Sequence, residues 1–106
     1  MSTQGRLAAV MTAANNPVLA YTVPAETVTT ATIAAVNTGT EAATVKMYIT
    51  TGSSPTVTDA IEYGAVIQPG GVLERSCMPL GAGERIIVEA STSSIAVRVA
   101  GFEAEI

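Results

Sequence analysis

The sequence predicts an all-β protein, and three observations carry that prediction. Runs of four to twelve residues, the longer ones rich in Val, Ile and Thr, recur along the chain, and such residues favour the extended backbone. Pro, Gly, Asn and Ser clusters punctuate the runs at regular intervals. Several runs alternate with a period of two, the mark of a strand with one face buried. With 106 residues, the chain is long enough for one domain around one core. The expected architecture is a single-domain antiparallel β-sandwich, jelly-roll or Ig-like, of about seven or eight short strands.

Taken in order, Met1–Gly5 is polar, and Arg6–Ala14 is ambiguous. Leu7, Val10, Met11 and Ala14 have helical spacing, but an edge strand is preferred because all that follows reads as β. Residues 1–14 are set apart as an N-terminal arm and 15–106 as the sandwich domain. Val18–Val23 is a short strand ended by Pro24. Glu26–Asn37 is a long Thr-rich strand. Val28 and Val36 differ in parity from Ile33, so a bulge near Thr30 is expected. Asn37–Thr40 reads as a hairpin turn with Gly39 at positive φ. In Ala43–Thr50, Val45, Met47 and Ile49 point inward, with Lys46, Tyr48 and Thr50 outward.

Gly52–Thr58 is a loop, and Asp59–Gly64 a short strand or helical turn. Ala65–Gln68 is a further apolar run. Val72–Met78 is a strand with Leu73 and Cys77 inward, ended by Pro79. Finally, ERIIVEA and IAVRVAGFE, separated by Ser91–Ser94, read as a central antiparallel hairpin. Ile95, Val97 and Val99 fall on its buried face; Ala96, Arg98 and Ala100 fall on the other.

Composition narrows the function classes. The 48% of hydrophobic residues is largely alanine and β-branched, with one Phe, three Tyr and no Trp. The core is therefore expected to be aliphatic and thin, and to gain from self-association. A net charge of −4 with no basic cluster argues against nucleic-acid binding. No apolar run is long enough to span a membrane as a helix. No signal peptide is visible, so synthesis and folding in a cytoplasm are expected. Cys77 is single and reads as a small buried hydrophobe.

Without His, a general-base triad and most zinc sites have no residues to use. The pairs Asp59/Glu62 and Glu103/Glu105 read as solvated charge rather than catalytic carboxylates. The glycines follow neither phosphate-loop nor dinucleotide spacing. No catalytic activity, cofactor or metal is expected. Interface residues are sought instead: Arg6, Leu7, Val10 and Met11 on the arm, Tyr63, and the charges Glu74 and Arg75.

Six segments in order carry a resemblance: Tyr21–Pro24, Asn37–Thr40, Ile61–Tyr63, Gly71–Arg75, Leu80–Glu84 and Val97–Glu103. In this order they resemble small virion structural proteins of tailed bacteriophages, over nearly all of the chain after Val18. The resemblance implies a β-sandwich that decorates a phage particle, localised to the virion. The leading expectation is a capsid decoration or cement protein that binds the outer shell. Its partners would be the major capsid protein or other virion proteins, with itself as a homo-oligomer. A tail, neck or fibre component is the alternative, and a carbohydrate-binding or adhesin module the third reading.

Overall fold

Alternating burial runs through the two longest interior strands and sets the fold. The computed structural model describes residues 3–52 and 54–106. In chain order the strands are β1 (Thr3–Met11), β2 (Val18–Thr22), β3 (Thr27–Asn37), β4 (Ala43–Thr50), β5 (Ala60–Ile67), β6 (Val72–Leu80), β7 (Arg85–Ala90) and β8 (Ile95–Glu105). A single 3-10 turn, Val57–Asp59, precedes β5. Two antiparallel four-stranded sheets result, ordered β1-β8-β3-β6 and β2-β7-β4-β5. The pairings β4 with β5, β3 with β6, β2 with β7 and β1 with β8 nest inside one another, which is the jelly-roll winding.

The core lies between the sheets. Ile33, Ala35, Val97, Val99 and Ile95 from the first sheet meet Val45, Met47, Ile86 and Val88 from the second, all essentially sealed from solvent. As expected, the filling is aliphatic; the single Phe, Phe102, stays exposed. The inward set on β8 is the expected one, Ile95, Val97 and Val99.

Several local expectations are corrected. The edge strand preferred for Arg6–Ala14 is present, but it belongs to the sandwich and is not set apart from it: β1 pairs antiparallel with β8 from Thr3↔Glu103 to Met11↔Ala96. Met1 and Ser2 lie outside the described residues. The last two strands are not a hairpin. β7 belongs to the second sheet and β8 to the first, so Ser91–Ser94 is an arch between layers. Asn37–Thr40 is likewise an arch from β3 to β4. Gly39 does not take the positive φ expected of it; a Cβ there would sit 2.8 Å from Ser94 Oγ, so the position needs smallness rather than conformational freedom.

The bulge expected in β3 is absent, because β3 runs in unbroken register with β8 from Thr27↔Glu105 to Asn37↔Ile95. Thr27, Thr29, Ala31, Ile33, Ala35 and Asn37 point inward, leaving Val28 and Val36 on the outer face. The irregularity lies in β6 instead, where Ala31↔Met78 is followed by Ile33↔Arg75 and one extra residue is accommodated. Cys77 sits there at φ 57, exposed rather than buried. β6 continues past Pro79 to Leu80; as an edge strand it tolerates the missing N–H.

Buried polar groups lock the arches. Asn37, 1% exposed, donates from Nδ2 to the carbonyls of Ile67 (2.9 Å) and Glu41 (2.8 Å). Its Oδ1 accepts from Gly39 N–H (2.9 Å) and from Ser94 Oγ (3.3 Å). All four valences of the amide are thus satisfied. Thr12 Oγ1 donates to the Thr92 carbonyl (2.8 Å) and accepts from Ile95 N–H (3.3 Å), pinning the end of β1 to the last arch.

At the opposite end, Tyr21 Oη donates to Glu103 Oε2 and meets Thr29 Oγ1 at 3.0 Å, tying β2 to β8 and β3. Burial, and then the bond to the Glu103 carboxylate, push the Tyr21 hydroxyl up to about 12. Gly101 closes the inventory. A Cβ built on it would lie 1.9 Å from the Thr30 carbonyl oxygen, so β3 and β8 can approach only with glycine there.

Candidate assembly face

The outer surfaces of the two sheets are built differently, and the first is the candidate site. Strand pairing places residues in rows across it. One row reads Met11, Ala96, Val36, Val72 from β1 to β6; the next reads Ala9, Arg98, Ala34, Glu74. Directly paired residues share a face, so both rows point away from the core. Met11 and Val72 are 51% and 61% exposed. Val36, Ala34 and Ala96 are half-buried, flanked by neighbours too small to cover them.

A shallow groove of about 450 Å³ follows these rows between β1, β8 and β3. Its walls are Ala9, Met11, Ala34, Val36, Ala96 and the stem of Arg98, with the backbone at Val10 and Val97 as floor. The alanines make it a groove. A larger residue at Ala34 or Ala96 would fill the space that the taller Met11 and Arg98 enclose.

Charge on this face is sparse and separated. Arg98 and Glu74 flank Ala34 in one row, two strands or about 10 Å apart. Both are exposed, and neither forms an ion pair or side-chain hydrogen bond among the described residues.

The outer face of the second sheet is covered at its centre, while Leu19, Tyr63 and Val66 on its flanking strands are 50%, 57% and 59% exposed. Tyr48 pairs with Ile87 and, although it points outward as expected, is 7% exposed, with Ile87 at 3%. Burial raises the Tyr48 hydroxyl above its ordinary value, with Lys46 opposing and Glu89 reinforcing. Lys46 Nζ lies 4.6 Å from the centroid of the Tyr63 ring, a cation–π contact.

The expected interface residues therefore separate. Met11 and Glu74 lie on the exposed outer face of the first sheet, and Arg6 joins them through its pairing with Ala100. Leu7 and Val10 are partly buried, packed against the core. Tyr63 is exposed on the second sheet under Lys46. Arg75 does not pair with adjacent Glu74, since neighbours along a strand point to opposite faces. It reaches Glu62 of β5 at 3.0 Å, clasping the edges of the two sheets.

Sequence reading missed Ala34, Val36, Ala96 and Arg98 as a surface. The available signal was β3 itself, which is apolar on both parities.

The acidic pairs also have structural tasks. Asp59 accepts from Thr56 N–H at 2.9 Å, Glu62 holds Arg75, and Glu103 holds Tyr21. Among the described residues, no group of three or more His, Cys, Asp and Glu is placed to hold a metal ion, and no helix is long and apolar enough to cross a membrane. No protein-family model and no curated protein sequence matches this chain.

Proposed function

We propose that this chain is a virion structural protein of a tailed bacteriophage, acting as a decoration or cement protein on the capsid exterior. The observation that carries the reading is the way the six resembling segments meet in the jelly roll. Tyr21 of the first segment bonds Glu103 of the last. Asn37 of the second joins three connections. In the fifth, Glu84 Oε1 accepts from Gly81 N–H at 2.6 Å and shapes the β6–β7 turn. The segments thus work together as the fastenings of one sandwich, which supports reading them as one unit. Jelly rolls also serve lectins and cupins, so winding alone assigns no role.

A decoration protein works through surface and stability rather than bond chemistry. The bare face of the first sheet offers apolar contact area of the kind that marks interaction sites. Copy number on the particle tests the proposal. Quantitative mass spectrometry of purified virions is expected to find hundreds of copies per particle, and particles lacking the protein should release their genome at lower temperature. A few dozen copies would place it in the tail or neck instead. Absence from the particle would overturn the virion reading.

A further inference from the structure

We infer that the outer face of the β1-β8-β3-β6 sheet is a self-complementary interface, occupied by the same face of a second copy of this chain in a two-fold dimer. The inference is independent of where the protein sits on a particle. It rests on the placement of two of the charges on this face. Arg98 on β8 and Glu74 on β6 flank Ala34 on β3 in a single row. A two-fold axis running above β3, parallel to it, carries β8 of one copy over β6 of the other. Every residue stays in its own row under that rotation. Arg98 then faces the second copy's carboxylate and Glu74 the second copy's guanidinium, giving two symmetry-related ion pairs astride the axis.

The same operation sets Ala34 on its counterpart and Val36 on its counterpart, and lays Ala96 against Val72 in the adjoining row. Small residues on the axis allow close approach of the two sheets, which pack about 10 Å apart when aligned. An isologous contact of this kind satisfies both copies at once and closes, leaving no open end for polymerisation. A partner of single charge would satisfy only one of Arg98 and Glu74. A second copy satisfies both, which is why it is the favoured occupant.

Under this rotation β8, β3 and β6 of the two copies overlap while β1 lies beyond the second copy's β6, so the contact is three strands or roughly 14 Å wide and of modest size, and the dimer should exchange with monomer at accessible concentrations. Sedimentation equilibrium of the full chain from about 1 µM to about 1 mM is expected to show monomer passing to dimer and no further. Arg98→Glu and Glu74→Arg, each alone, place like charges opposite one another twice and should weaken association by about a hundredfold or more. The double variant Arg98→Glu/Glu74→Arg restores both pairs and should return association to within about tenfold of the native chain.

Mixing the two single variants should yield a heterodimer that neither forms alone, because each then meets its complement at both positions. All four substitutable positions in the two copies are exposed, and far-ultraviolet circular dichroism should show the native β spectrum throughout. A chain that stays monomeric at about 1 mM overturns the inference. So does a dimer indifferent to both single reversals, or one that the double variant and the mixture fail to restore.

Discussion

The two sheets of this sandwich share a core but build the centres of their outer surfaces differently. The β2-β7-β4-β5 sheet lays Tyr48 over its own strands, buries Ile87 and caps Tyr63 with Lys46. The β1-β8-β3-β6 sheet carries alanines and valines there, with the opposite charges Arg98 and Glu74 in one row and Arg6 further along β1. The second sheet covers its centre with a long side chain and leaves Leu19, Tyr63 and Val66 exposed at its flanks. The other has kept the flatness that contact with another surface requires. The difference teaches that exposure of apolar groups here follows from residue size: alanine cannot shield a neighbouring valine, whereas a tyrosine can shield an isoleucine.

The largest expected effect breaks the first sheet outright. Gly101→Val drives a side chain into the Thr30 carbonyl and should cost more than about 4 kcal/mol. Soluble, cooperatively melting Gly101→Val protein would show that β3 and β8 do not approach as described. Val97→Asp, which buries an unpaired charge at a position 2% exposed, should likewise abolish folding.

Next comes the comparison itself. Tyr48→Ala uncovers Ile87 and should lower stability by about 2 kcal/mol in urea titration. Met11→Ser on the bare face should cost less than about 0.5 kcal/mol in the monomer. Equal losses would erase the distinction between the faces.

A smaller effect is read by pH. The Tyr21 hydroxyl is raised from 10.0 to about 12 in the fold, so the fold favours the neutral form. That contribution is complete below pH 10, the ordinary phenol value, and is lost as pH climbs through about 12. Thermal melts should therefore fall along an alkaline limb over that window, and Tyr21→Phe should flatten the limb. An unchanged limb in the variant would assign it to other tyrosines.

Much of the fold was legible in the sequence because strict alternation has one physical reading. Ile95, Val97 and Val99 could only be a buried face, and the structure buries them. The connections were not legible. A short polar link such as Ser91–Ser94 suits a hairpin or an arch equally, and the choice is made by distant partners, Thr12 and Asn37, that hydrogen-bond to it. Cys77 was read inward from hydrophobicity, whereas an extra residue in β6 turns it out.

The error on β3 is the most informative. By sequence alone, the parity of Val28 and Val36 conflicts with that of Ile33, and a bulge near Thr30 is the expected reconciliation. In the structure they face out and the strand is regular. Their apolar character belongs to the candidate face, so the conflict in periodicity was itself a trace of the second surface. Met11 and Glu74 on that face were legible as exposed residues. Arg98 was legible as outward but not as one half of a pair, because its relation to Glu74 exists only once β8, β3 and β6 lie side by side.

The nested winding carries a consequence for the order in which the molecule comes into being. Only β4 and β5 are neighbours both along the chain and in a sheet; each further pairing must span a longer stretch of polypeptide. Closure of such distant contacts is slow, on the order of milliseconds to seconds. During synthesis, β3 waits beside a gap until β8 has left the ribosome, and β1 waits longest, from first strand to last. The alanine groove spans β1, β8 and β3, so it has no existence until that final strand slots into place. A nascent chain cannot offer this surface to a companion prematurely; the timing of translation keeps the adhesive patch out of reach until the sandwich beneath it is finished.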